Sequence, residues 1–152
     1  MKKYGQVEGW NLSEDKTKLT KIYLANGKET VNIFDIAGNQ TSINIEVTNI
    51  DKIGPQADVK YSTTKMTNEN VTVTIEADER IKEIEGWDLS EDAKTLTKVF
   101  SENNQEDIVI YDLSGNSKTI YISVGNIDKV APEVKESYSI TKITNQDVVV
   151  TI

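Results

Sequence analysis

The stretch GWNLSEDKTKLTK, beginning at Gly9, returns as GWDLSEDAKTLTK, beginning at Gly86, 77 residues later. Shifted by that distance, the chain realigns along its length without an insertion or deletion. Asp35-Ile36-Ala37-Gly38-Asn39 falls on Asp112-Leu113-Ser114-Gly115-Asn116, and Asn49-Ile50-Asp51-Lys52 on Asn126-Ile127-Asp128-Lys129. Pro55 meets Pro132, and Thr67-Asn68 meets Thr144-Asn145. Just under half of the aligned residues are identical. A period this long is one domain per repeat rather than a solenoid unit. The expected organisation is therefore 1–50 as the later strands of one repeat, 51–127 as a complete repeat, and 128–152 as the two opening strands of another.

Two copies also show which side of each segment faces inward. In Val71–Ala77, Val71, Val73, Ile75 and Ala77 alternate with Thr72, Thr74 and Glu76, the period of a half-buried strand. Ile108-Val109-Ile110 is apolar throughout, but its partner is Val31-Asn32-Ile33, so the middle position faces water. Ile120-Tyr121-Ile122-Ser123-Val124 aligns with Ile43-Asn44-Ile45-Glu46-Val47, which turns Tyr121 outward and the Ile, Ile and Val positions inward. Turn chemistry separates these runs: Asp112–Asn116 offers Asp, Ser, Gly and Asn where a short hairpin needs them, and Ser90–Lys94 turns the chain again. Asp51–Pro55 and Asp128–Pro132 read as short hinges. One period carries strands near 57–61, 71–77, 81–87, 95–100, 106–111 and 117–124, with Leu89 able to extend the third. That pattern predicts an all-β antiparallel sandwich, with Trp10 and Trp87 as core plugs.

Composition narrows the function. The chain has neither Cys nor His, which removes disulfides, thiolate chemistry, the commonest general base and the commonest nitrogen ligand for zinc or copper. A formal charge of −8 leaves no basic footprint for nucleic acid. No apolar run approaches the roughly 20 residues that span a bilayer, so no membrane insertion is expected. MKKYGQVEGW lacks the apolar stretch of a signal peptide, so an exported parent protein would carry its signal upstream.

Together, the hinge Asn126–Pro132, the strand Val71–Ile75, the Gly86-Trp87-Asp88-Leu89-Ser90 segment and the Asp112–Asn116 turn resemble the bacterial immunoglobulin-like repeat domains of cell-surface proteins. The resemblance covers the whole chain. It implies an immunoglobulin-like fold in tandem repeats, outside the cell or in the cell wall, in secreted adhesins and stalks that hold a binding head away from the surface. The expected function is a non-catalytic spacer or adhesin stalk, with neighbouring repeats of the same protein as partners and any host or glycan ligand unidentified. The alternative is a glycan-binding accessory module of an extracellular enzyme. It needs an exposed aromatic platform, for which Tyr121 is a candidate, although Asn44 replaces it in the other copy.

No catalytic, cofactor or metal residue is assigned. Asp88, Glu91 and Asp92, matched by Asn11, Glu14 and Asp15, share a turn but lack the converging spacing of a calcium loop, as do the hinge acids Asp51 and Asp128. A Lys–Asn cross-link would need a buried lysine and asparagine beside an acid, and Lys21/Lys98 and Lys65/Lys142 sit among polar residues. The incomplete flanks raise a last expectation. Residues 1–50 would expose an apolar groove and open sheet edges, and Val148, Val150 and Ile152 occupy the repeat positions of Val71, Val73 and Ile75. A hinge of seven residues reaches only about 20–25 Å. Two expectations stand side by side: donation to a neighbouring chain, favoured over closure within one chain and giving a head-to-tail oligomer or filament by strand complementation, and an arbitrary cut through a longer array, with loosely ordered ends.

Overall fold

Every segment with period-two patterning longer than a turn is extended, and no helix forms among the described residues. The structure, a computed structural model, describes residues 2–152. The chain divides into two compact units, residues 1–53 and 54–152.

The first unit consists of two hairpins. Strands β1 (Asn11–Leu12) and β2 (Leu19–Thr20) form a short pair, and β3 (Gly27–Phe34) and β4 (Gln40–Val47) a long one, both antiparallel. The register Val31↔Ile43 and Glu29↔Ile45 sets apolar side chains of β3 and β4 on one face. Among the described residues of this unit only Val31 is a buried large apolar side chain.

In the second unit, β5 (Ala57–Tyr61), β6 (Val71–Ala77), β7 (Asp88–Leu89) and β8 (Thr95–Phe100) form one antiparallel sheet in the order β5-β6-β8-β7. The hairpin of β9 (Asn104–Tyr111) and β10 (Ser117–Val124) forms a second sheet. One cluster of buried side chains draws on both sheets. Val71, Val73, Ile75, Leu96 and Phe100 come from the first, and Ile108, Ile110, Ile120, Ile122 and Val124 from the second. Two antiparallel sheets sharing one apolar core are consistent with a β-sandwich. Strand β6 is central to it: Val71, Val73 and Ile75 are fully buried, each stabilising the fold by roughly 1.5–3 kcal/mol. Tyr121 and Val109 face outward, as the pairing of copies required.

Gly54 shows how closely the unit's first residues pack, since a Cβ there would lie 2.7 Å from the Ser117 carbonyl oxygen. The last segment forms a small hairpin of β11 (Ser137–Tyr138) and β12 (Val150–Thr151), whose side chains are exposed.

One expected strand is absent. Residues 81–87 form no strand: Ile81 makes a single bridge to Asp112, the Trp87 N–H donates to the Ile84 carbonyl, and Gly86 takes φ +78°. Ile81, Ile84 and Trp87 recur every third residue, so no two-residue period holds a ladder there. The chain turns instead, and strand pairing resumes only at Asp88.

Candidate functional site

The first unit carries an uncovered apolar face. Trp10, Leu19, Val31, Ile33, Ile43 and Ile45, together with Tyr4 and the polar residues of segment 17–20, line an open groove of about 400 Å³. Each of those six residues has an equivalent 77 positions on that lies in the core of the second unit. Ile120 is 6% exposed, whereas Ile43 is 47% exposed. Ile122 and Leu96 are fully buried, whereas Ile45 and Leu19 are only half-buried. Trp87 is buried and Trp10 half-buried, so only one of the two expected core plugs is enclosed.

The physical difference is strand β6. In the second unit it pairs along β8 in the register Val71↔Phe100, Val73↔Lys98 and Ile75↔Leu96. In the first unit, β2 pairs only with β1 among the described residues, and strand geometry ends at Thr20 although the equivalent β8 runs to Phe100. A strand without a neighbour on that side lacks the ladder that would carry it through Lys21–Tyr23, and it leaves an edge open to pairing.

The rest of the first unit is built as its counterpart is. Lys21 Nζ pairs with the Glu29 carboxylate at 2.8 Å, and Lys98 Nζ with Glu106 at 2.7 Å. Each ammonium also lies over two aromatic rings: Lys21 is 5.8 Å from the Trp10 centroid and 5.2 Å from that of Tyr23. Lys98 is 5.4 Å from Trp87 and 5.0 Å from Phe100. The rings meet edge to face in both pairs. Such a cation over two rings and a carboxylate pins the β8–β9 crossing and its counterpart. The Tyr23 hydroxyl also donates to Glu29. This hydrogen bond, then burial, pushes Tyr23 up to about 12. Lys21 first, then Tyr23, hold Glu29 below the usual carboxylate range.

Of the acids considered as metal ligands, Asp15, Asp51, Asp92 and Asp128 are engaged in turns. Asp92 accepts from the Ser90 hydroxyl and the Lys94 N–H, and Asp15 from Ser13 and Thr17, which lowers both. Asp51 accepts the Ile53 N–H and Asp128 the Val130 N–H, while Asp88 and Glu91 are exposed. Asp112 is fully buried. Burial pushes its pKa up, but hydrogen bonds from the Asn116 side chain and N–H, and from the N–H groups of Gly115 and Ser114, outweigh this and hold it below the usual range. Asp35 is held low by Asn39 in the same way. Among the lysines, Lys98 shares the Glu106 carboxylate with the Asn104 amide, which reaches it at 3.5 Å. The equivalent of Asn104 is Gly27, and both ion-paired side chains are about a quarter exposed, at 28% and 25%. That is the environment of an ion pair rather than of a buried cross-link. Lys65 offers its backbone to Thr63 and Asn126.

Two parts of the site escaped sequence reasoning. The Lys–Glu–aromatic clusters left a signal, because Lys21/Lys98, Glu29/Glu106 and Trp10/Trp87 are all shared between the copies. So did the burial of Asp112, since both Asp35/Asp112 and Asn39/Asn116 are identical. No family model, characterised protein or solved structure matches this chain.

Proposed function

We propose that this chain is a non-catalytic structural element, a tandem array of 77-residue immunoglobulin-like sandwiches that serves as a spacer or adhesin stalk on a bacterial cell surface. The observation that carries the reading is the agreement of the two copies in contacts that only brace strands. The ammonium over two rings, the Asp–Asn turn and the left-handed backbone at Lys16 (φ 60°) and Ala93 (φ 57°) recur at the 77-residue step. A stalk needs the same rigid body repeated, and what recurs here is bracing rather than a cleft with converging reactive groups. The short Asx-turn hinges at Asp51 and Asp128 suit limited bending between neighbours.

The test is solution scattering from a chain of two complete repeats, joined to surface-protease treatment of the producing cells. The reading expects an extended particle about twice the length of one repeat and release of these peptides from intact cells. A broad, compact size distribution, or peptides released only after lysis, contradicts it.

One observation bears on the glycan-binding alternative. Tyr111 and Tyr121 are both exposed on the outer face of the β9–β10 hairpin, opposite Ser117 and Asp107. Four residue steps separate them along the strands, about 13 Å, too far apart to hold a single sugar ring between them. Saturable glycan binding lost in Tyr121→Ala would overturn the spacer reading.

A further inference from the structure

We propose that Asn26 is a spontaneous modification site: its side-chain amide is lost to attack by the Gly27 nitrogen, and the product frees the segment 49–53 from the turn that holds it. The site stands apart from the spacer reading, since its chemistry is the same whatever the chain serves.

The amide has a task in the fold. Asn26 Nδ2 donates to the Ile50 carbonyl at 3.0 Å, and Asn26 Oδ1 accepts the Ile50 N–H at 2.8 Å. One side chain thus satisfies both backbone groups of one residue, which an amide suits because it offers a donor and an acceptor side by side. Lys52 Nζ holds the Leu24 carbonyl at 2.7 Å, so the turn 24–26 grips the segment twice. The second unit has the same clamp. Asn103 meets Ile127 at 3.0 and 2.8 Å, and Lys129 Nζ meets the Ser101 carbonyl at 2.8 Å.

The two clamps differ in the residue that follows. Asn26-Gly27 is the one Asn-Gly pair in the sequence, whereas Asn103 precedes Asn104. An asparagine closes on the next residue's nitrogen only where the backbone can rotate and the approach is clear. Glycine allows both, and a residue with a Cβ resists. Asn26 and Gly27 are exposed, and nothing lies within 4 Å of where a Gly27 Cβ would sit. Gly27 pairs with Val47 at the end of the β3–β4 ladder, where opening costs least. At Asn104 a side chain stands beside the nitrogen and extends to Glu106 at 3.5 Å.

The reaction needs only water and is redox-neutral. The Gly27 nitrogen bonds to Asn26 Cγ, the Cγ–Nδ2 bond breaks, and Nδ2 leaves as ammonia with the proton from the Gly27 N–H. Water then opens the cyclic imide at either carbonyl, giving aspartate or an isoaspartate whose backbone is one methylene longer. Aspartate puts an oxygen where Nδ2 stood, against the Ile50 carbonyl oxygen, two acceptors with no proton between them. Isoaspartate draws the side chain off Ile50 and lengthens the chain just before β3. Asn26 must leave Ile50 before its Cγ reaches Gly27, so the clamp sets the rate and the reaction makes its opening permanent. Lys52 keeps its grip on Leu24, which confines the loss to the clamp and spares the β3–β4 pairing.

Incubation of the 152-residue chain in mildly alkaline buffer tests this, followed by peptide mass spectrometry and amide exchange. Expected is a slow gain of aspartate and isoaspartate at position 26 while Asn103 stays intact. In the aged chain Ile50 exchanges roughly tenfold faster, with Val31 and Ile127 as before. Gly27→Ala adds a Cβ in open space at a residue without left-handed φ, so it keeps Ile50 protected and suppresses the gain. Asn26→Asp speeds Ile50 exchange without ageing. The same chain unfolded in urea is the unclamped reference and converts faster than the folded one. Three results overturn the proposal: Asn26 intact in the folded chain once the unfolded chain has converted, conversion as fast at Asn103 or in Gly27→Ala, or unchanged Ile50 exchange in both the aged chain and Asn26→Asp.

Discussion

Ile120 and Ile43 are the same residue in two copies of one strand pair, yet one is enclosed and the other is not, so truncating each measures what β6 contributes. Ile120→Ala removes three carbons from a site 6% exposed. Transfer alone is worth about 2.4 kcal/mol at 0.8 per methylene, and the cavity left between two sheets brings the cost to about 3–4 kcal/mol. Ile43 is 47% exposed and faces an open groove. Ile43→Ala there forfeits about half the transfer term and encloses no cavity, costing about 1 kcal/mol. Amide hydrogen exchange reads β9–β10 and β3–β4 separately, so each unit reports its own loss in the same chain. The reasoning holds if the Ile120 variant loses about 2 kcal/mol or more beyond the Ile43 variant, measured at dilute monomer. Equal losses would refute it, since burial by β6 would then not distinguish the copies.

Other outcomes follow from individual contacts. Asp112→Ala removes the acceptor of the part-buried Asn116 N–H and of the exposed Ser114 and Gly115 N–H groups, and should cost about 1–3 kcal/mol by urea titration. Asp15, Asp35, Asp92 and Asp112 all have folded-state pKa values below their unfolded ones. Their contribution is complete above the unfolded carboxylate range near 4 and is lost as pH falls through the folded values, so the urea midpoint should be flat from about pH 5 to 8 and drop below about 4. Ala93→Gly, at φ 57°, should stabilise by about 0.5–1 kcal/mol in thermal unfolding, because relief of left-handed strain exceeds the added unfolded-state entropy. Tyr23, raised to about 12, should be a late-titrating tyrosine in ultraviolet absorbance, and Tyr23→Phe should remove that step. The sign is opposite to that of the acids: its contribution is intact below about pH 10 and lost as pH rises through about 12.

Much of the second unit was legible because two copies constrain each face twice. Strands at 57–61, 71–77, 95–100 and 117–124 lie where alternation placed them, and β9 begins at Asn104 rather than near 106. Asn32 opposite Val109, and Asn44 opposite Tyr121, revealed outward positions that one copy alone would have hidden. The segment 81–87 was misread as a strand because its apolar residues look dense until their spacing is counted. Its single bridge and the left-handed Gly86 show a turn-rich crossing. Trp10 and Ile43 were legible as inward-pointing, and the open groove they line was expected from comparing the copies rather than from their own strands. Inwardness is a property of the strand, whereas enclosure depends on β6, which lies outside the local pattern. The paired lysines were read as polar surface because sequence shows no proximity. Phe100 lies two residues on in the same strand, but Trp87 and Glu106 reach Lys98 from beyond the flanking turns.

The central claim is that β6 closes a two-sheet core over the β9–β10 hairpin and that β3–β4 lack this cover. The most direct measurement is the set of methyl–methyl nuclear Overhauser contacts at dilute monomer. Cross-peaks from Val73 and Ile75 to Ile110 and Ile122 are expected, with no strand methyls reaching Ile33 or Ile45 from residues 148–152. Absence of the first set, or a full set at Ile33 and Ile45 in the monomer, would contradict the account.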